Sequence, residues 1–290
     1  MGERIGSVVG LWRYPVKSMG GEPLDRAVAG ERGIAGDRAW AVIDTETGKV
    51  ASAKRPKLWL GMLECSAAYV DEPGADGPAA RIRIALPDGR EVHSDDPDRD
   101  RLLSDALGRA VTLASCAPEG ATYDLSARDA EGLEVDDPDR ITESRVGMFA
   151  PAGTFFDTST LHIVTTNSLA RLAEAHPDGI WDARRFRPNV LVTLDEATSA
   201  NGFPESHWVG RALELGEARA AVMAEMPRCV MTTLPQGDLP RDPLILRTLA
   251  EENRQELGSF GVYACVGALT NVSAPGPLAV GDAVALADPL

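Results

Sequence analysis

The sequence predicts an α+β, β-rich fold in two closely packed parts, and three observations carry that expectation. Apolar residues recur in short runs, several alternating with polar ones, as half-buried strands require. Turn formers are abundant, with Gly 28 and Pro 20, while aromatics make up 5% of the chain. Helical periodicity is confined to a few short stretches.

Taken in order, Val8, Gly10 and Trp12 alternate with Ser7, Val9 and Leu11 in a first strand that turns at Pro15. Residues 38–44 (RAWAVID) form a second strand, with turn chemistry at 44–48 before a short run at 49–52. A long apolar stretch covers 58–70, and the runs 81–86 and 90–94 flank Pro87-Asp88-Gly89, a hairpin signal. Strands at this spacing suggest a barrel or a sandwich. Asp96 is an expected N-cap, with Pro97 in the first turn, where a missing N–H costs nothing. That helix runs to Leu107, with Gly108 beyond its end. Residues 117–150 are polar, rich in Asp, Glu and Pro, and without periodicity, so they read as a long excursion or linker.

A second region starts near Phe155 with a strand at 161–165 and a helix at 167–175 that turns Leu169 and Leu172 inward. A strand at 189–194 and two across 211–226 follow, then a helix capped by Asp242, with Pro243 in its first turn, to about Gln255. Strands at 261–266 and 282–286 close the chain.

Formal net charge is −15. Such a surface repels polyanions, which argues against nucleic acid or an anionic membrane as partner and makes local basic clusters informative. An acidic proteome accounts for the same charge with no specific role. The N-terminus lacks a cationic start followed by an apolar run, and no stretch reaches the ~20 apolar residues of a membrane span. A cytoplasmic protein with no membrane association is expected. Cys65, Cys116, Cys229 and Cys265 form no CxxC pair, zinc knuckle or iron–sulfur signature, and fit thiols in a reducing compartment.

Three segments carry chemistry. Residues 14–20 (YPVKSMG) place Lys17 and Ser18 after a strand and before glycines, where an ammonium, a hydroxyl and backbone N–H groups can meet an anion. Taken alone, a turn lysine is usually plain solvated surface. Residues 181–189 (WDARRFRPN) concentrate arginines, suited by their planar fork to phosphate or paired with nearby carboxylates. Residues 227–233 (PRCVMTT) set Cys229 beside Arg228 at a strand end, a soft ligand for a transition metal or a small buried hydrophobe. His93, His162, His176 and His207 make no HxxxH or HExxH pair, which weakens zinc-hydrolase and Cys–His readings.

Together with GDRAWAVID, FDTSTLHIVTTNSL, GVYACV and PLAVGDAVAL, these segments resemble, in order and over nearly the whole chain, the MOSC proteins. The likeness is to the branch that has an N-terminal β-barrel domain, which includes the mitochondrial amidoxime-reducing components and their bacterial counterparts. The resemblance implies an N-terminal β-barrel-like domain (1–116) packed against a MOSC β-barrel domain with peripheral helices (151–290), with 117–150 between them. It implies molybdenum cofactor (Mo-molybdopterin), with Cys229 as catalytic residue and metal ligand. It places Lys17, Ser18, Arg38 and Arg187 on the pterin phosphate and ring, and Thr158, Ser159, Arg228 and Tyr263 around them. The implied activity is reduction of small N-hydroxylated compounds such as amidoximes and hydroxylamines. Pro227 departs from the small polar residue of several relatives. The chain ends at Leu290 with neither the appended iron–sulfur domain nor the membrane anchor of some relatives, so a separate electron donor, a flavin, haem or iron–sulfur protein, is expected. Sulfur transfer through a Cys229 persulfide, or a non-enzymatic cofactor carrier, are the alternative expectations.

Overall fold

The computed structural model describes residues 2–74, 80–126, 141–196, 202–258 and 261–288. The chain opens with β1 (Glu3–Arg13), β2 (Glu22–Leu24), β3 (Arg26–Gly30), β4 (Gly33–Ile34) and β5 (Ala41–Asp44). A short helix α1 (Pro56–Trp59) leads to β6 (Ser66–Tyr69), β7 (Ile82–Ala85), β8 (Glu91–His93), helix α2 (Arg99–Leu107) and β9 (Val111–Ala114). Next come β10 (Thr122–Ser126), β11 (Ile141–Arg145), β12 (Leu161–Thr165), helix α3 (Thr166–Ala175) and β13 (Val190–Leu194). The last elements are β14 (Ala212–Leu215), β15 (Ala218–Pro227), helix α4 (Leu244–Glu252), β16 (Arg254–Glu256), β17 (Val262–Ala274), β18 (Gly276–Ala279) and β19 (Ala283–Ala287).

The large sheet runs β12-β13-β1-β19-β14-β15-β17, and pairing of β12 with β17 closes it into a seven-stranded barrel. Its interior is filled by Val8, Leu11, Leu161, Ile163, Val190, Val192, Leu213, Ala220 and Val284. The first strand of the chain is therefore a stave of this barrel, held between β13 and β19. A register shift between Val8 and Gly10 interrupts its alternation, which leaves Val9 exposed and Leu11 buried.

A second core, from Val16 to Leu113, is built on the β6-β7-β8 sheet and the β5-β9 pair and sealed by α2. Helix α2 begins at Arg99, after an Asp98 cap, rather than at the expected Asp96. The Asp96 carboxylate turns back to accept the His93 N–H at 2.7 Å, so it caps a turn, not the helix. Gly108 ends α2 in the left-handed conformation, as expected. The run 58–70 breaks into the end of α1, a single-turn helix and β6. Strand structure at 49–52 reduces to a single bridge at Val50.

The stretch 117–150, expected as an excursion or linker, carries paired strands. Strands β10 and β11 pair in register from Thr122↔Arg145 to Ser126↔Ile141, and Tyr123 packs with Val50 and Phe155. Residues 127–140 of that stretch lie outside the described residues. Helices α3 and α4 bury Leu172, Ile245, Leu246 and Leu249 against the outer face of the barrel. Thr165 caps α3 by accepting the Ser168 N–H at 3.1 Å. Asp242 accepts the Leu244 N–H at 2.9 Å, and α4 ends at Glu252, short of the expected Gln255.

Candidate functional site

Strand β12 is buried on both faces, and period-two alternation sorts its side chains. Leu161 and Ile163 enter the barrel core, while His162 takes the other face and lines a cavity of about 150 Å³. Lys17, Ser18, Arg38, Thr158, Ser159, Arg187, Arg228 and Cys229 line the same cavity. They come from distant parts of the sequence, so only the fold assembles them.

The first wall is built by main-chain pairing. Lys17 N donates to Trp40 O at 2.9 Å and Arg38 N donates to Tyr14 O at 2.8 Å, which lays residues 14–17 alongside 38–40. Ser18 Oγ accepts the Ala53 N–H at 3.1 Å and so ties in the segment that carries Lys54. The Tyr14 ring meets two guanidinium groups, with Arg187 Cζ 4.3 Å and Arg38 Cζ 4.8 Å from its centroid. Burial pushes the Tyr14 hydroxyl up to about 12, so it stays neutral and donates to Pro188 O at 3.2 Å.

Among the described residues, Ser18 (φ 65°), Arg38 (φ 47°) and Arg187 (φ 52°) are the non-glycine residues with positive φ. All three line the cavity. Left-handed backbone costs a residue bearing a Cβ about 1–2 kcal/mol, and such strain gathers where surrounding structure holds a functional geometry. Arg187 is held by a bond from its Nη1 to Met19 O at 2.6 Å. Asp37 supports the wall from behind, accepting from Tyr14 N at 2.7 Å and Asn189 Nδ2 at 2.9 Å.

The charges in the cavity are unequal. Lys17, Arg38, Lys54, Arg185, Arg187 and Arg228 line it beside one lining carboxylate, Asp157, while Arg38 is also ion-paired to the buried Asp37. Asp157 binds both ammonium groups, Lys17 Nζ on one oxygen and Lys54 Nζ at 3.0 Å on the other. Burial opposes its ionisation, but the two ammonium groups outweigh that and hold it far below the usual carboxylate range. Burial lowers Lys17, whereas Lys54 is raised because Asp157, Tyr123 and Cys229 outweigh its own burial. Burial and mutual repulsion with Arg38 bring Arg187 down to about 10. Burial brings Arg228 to about 10 as well, against the pull of Cys229. Arg185 is different: carbonyls of Ile180, Thr232 and Pro240 accept its N–H groups, so it braces the wall.

Cys229 follows the end of β15. Pro227 has no N–H to extend the ladder, and register slips between Glu225 and Pro227. Cys229 is extended (φ −133°, ψ 177°), and its carbonyl accepts the Thr232 N–H at 3.2 Å to start a helical turn at Val230–Thr233. Half-buried, it packs against the cluster of Ala53, Leu63, Met231 and Leu234. Behind it, Arg228 donates from Nη1 to His162 Nε2 at 3.3 Å and from Nη2 to Phe186 O, while its buried Nε has no hydrogen-bond partner.

Tyr263 is not among the lining residues. It lies on β17 opposite Gln255 of β16, and this strand instead supplies the Ala264 carbonyl that receives Arg228 N–H at 2.8 Å. Sequence reasoning missed Lys54, Asp157, His162 and Asn189 as lining residues. The Arg-Arg-Phe-Arg run holds its own signal for Asn189, but Lys54 sits in a loop that reads as solvated surface.

Residues 151–285 match the family model of the MOSC domain, and residues 5–95 match that of the MOSC N-terminal beta barrel domain. The chain is a MOSC domain protein. Among curated relatives, mitochondrial amidoxime-reducing component 1 of Homo sapiens is 25% identical over 299 residues, covering 98% of this MOSC protein and 84% of the relative. Mitochondrial amidoxime reducing component 2 of Homo sapiens is 25% identical over 308 residues, covering 97% and 84%. Among solved structures, the YUAD protein from Bacillus subtilis aligns over 100% of both chains at 14% identity with a TM-score of 0.43.

Proposed function

We propose that this MOSC protein is a molybdenum-cofactor-dependent reductase of small N-hydroxylated compounds, with Cys229 as the protein ligand to the metal. The observation that carries the reading is the convergence of a thiol and an excess of cationic side chains on one cavity. The donor set fits a ligand that brings its own metal and its own negative charge. Among the described residues no group of three or more His, Cys, Asp or Glu stands ready to hold a metal alone. A single thiolate suits a metal already held by other sulfurs. The buried Arg228 Nε lacks an acceptor, which an oxyanion or ring heteroatom would supply. Names of the curated relatives support the substrate class.

Bound cofactor would supply the two-electron redox couple that removes oxygen from an N–OH group. Lys17, Ser18, Arg38 and Arg187 would hold its phosphate and ring, with Thr158, Ser159 and Arg228 completing the pocket. Lys54 joins them on the same wall, kept charged by Asp157. Conversion of N–OH to N–H and water also consumes a pair of protons. Electrons come from a separate donor protein. The test is Cys229→Ser: folded protein with molybdenum content and amidoxime turnover near zero is expected, and full turnover by this variant overturns the ligand assignment.

A further inference from the structure

Residue His162 has no pairing in sequence with any other histidine, yet it occupies the junction of two arginines. It is 5% exposed and lines the cavity. Its Nδ1 lies 3.4 Å from the carbonyl of Arg187, and its Nε2 lies 3.3 Å from Nη1 of Arg228. A guanidinium can only donate and a carbonyl can only accept, so one arrangement satisfies both: Nδ1–H donates and Nε2 accepts. The main chain of the same residue is pinned too, since His162 N donates to Asn189 Oδ1 at 3.1 Å and Asn189 N donates to His162 O at 2.8 Å.

Space for the ring is also built in. A Cβ on Gly267 would meet His162 Nε2 at 2.5 Å and Ile163 O at 2.5 Å, so only glycine lets β17 pass the imidazole. The ring therefore has one place, and with both of these bonds made it is the Nδ1–H tautomer. Arg228, with Nη1 on His162, Nη2 on Phe186 O and its guanidinium 5.4 Å from the Phe186 ring centroid, keeps Nε unpartnered. The Arg187 carbonyl, on a left-handed residue, is held by His162 and by Arg38 Nη2 at 3.4 Å.

We infer that His162 is a positioning residue: as the Nδ1–H tautomer it clamps the Arg187 main chain and the Arg228 guanidinium together, and so fixes the cationic face that a ligand's anionic group meets. The inference rests on the anionic-ligand reading above for its consequence, but not for its geometry. It does not use His162 as a proton donor or metal ligand.

The test uses the purified holoenzyme and three variants. Asparagine reproduces the Nδ1 position, glutamine reproduces the Nε2 position, and leucine reproduces neither. Loss of a hydrogen bond to a charged group corresponds to about tenfold to a hundredfold in binding. His162→Leu is expected to lose molybdenum on dialysis at least about tenfold faster than the parent. His162→Gln, whose Oε1 can accept from Arg228, is expected to recover most of that retention, and His162→Asn less. Equal loss from the Gln and Leu variants, or parental retention by Leu, overturns the clamp. Nitrogen–proton correlation spectra of histidine-labelled protein give a readout that a purely structural role does not move. A single Nδ1-protonated signal for His162 is expected, and an Nε2-protonated one overturns the inference. If the parent itself carries no molybdenum, the proposed function fails, and the tautomer still decides the role of His162.

Discussion

Replacing Asp157 with Asn leaves two ammonium groups in one buried pocket without their counter-charge. The Lys17 side chain is 5% exposed, Lys54 is 21% exposed and Asp157 is 33% exposed. A hydrogen bond to a charged group contributes about 1.5–3 kcal/mol, and breaking a fully buried pair costs about 3–5 kcal/mol. Water reaches one third of the carboxylate and screens part of the loss, so Asp157→Asn is expected to destabilise by about 2–3 kcal/mol. At about 2–4 °C per kcal/mol, Tm falls by about 5–10 °C at neutral pH. The sign of the pH dependence follows from a depressed folded pKa. The carboxylate's contribution is fully present above the unfolded value of about 3.9 and is lost as pH falls through the lower folded value. Thermal melts of parent and variant should therefore differ from about pH 5 to neutrality and converge in stronger acid. Equal Tm values at neutral pH would refute the role assigned to this carboxylate.

Other perturbations probe separate parts of the structure. Arg187→Lys keeps the charge but loses the guanidinium contact with the Tyr14 ring, and the bond to Met19 O with it; about 1–2 kcal/mol of stability should go, and an unchanged Tm contradicts the role of these contacts. Leu103, fully buried in the core under α2, should cost about 2–5 kcal/mol as Leu103→Ala in urea unfolding; a loss below about 1 kcal/mol speaks against that core. Glu205 is buried, and burial raises its pKa despite bonds from Thr165 N and Ser168 Oγ. A raised carboxylate pKa makes ionisation costly in the fold, so Glu205→Gln should gain stability relative to the parent as pH rises above about 4.5, and a gap that shrinks with pH contradicts this.

Strand content and the hairpin at Pro87-Asp88-Gly89 were legible in the sequence because alternation and turn chemistry are local: Leu86 N donates to Arg90 O at 2.8 Å and Gly89 takes φ 84°. Strands β10 and β11 were not, because TYDLS and ITESR bury little beyond Tyr123 and their partners lie across residues of no periodicity. Closure of the barrel through β1 was equally hidden, since pairing of Leu11 with Val190 spans most of the chain. In the site, the residues named from local clusters and family resemblance gather on one cavity, with Tyr263 outside it. Lys54 and Lys17 meet only through Asp157, and no spacing links residues a hundred positions apart. His162 gave no signal because its partners are a carbonyl and an arginine rather than a second histidine.

The most direct measurement is the molybdenum content of the purified protein, from a host that makes the cofactor, together with fluorescence of its acid-released, oxidised pterin. Near-stoichiometric molybdenum with pterin is the result expected of the cavity around Lys17, Arg187 and Cys229. Neither molybdenum nor pterin contradicts it, and sulfur bound on Cys229 becomes the next thing to measure.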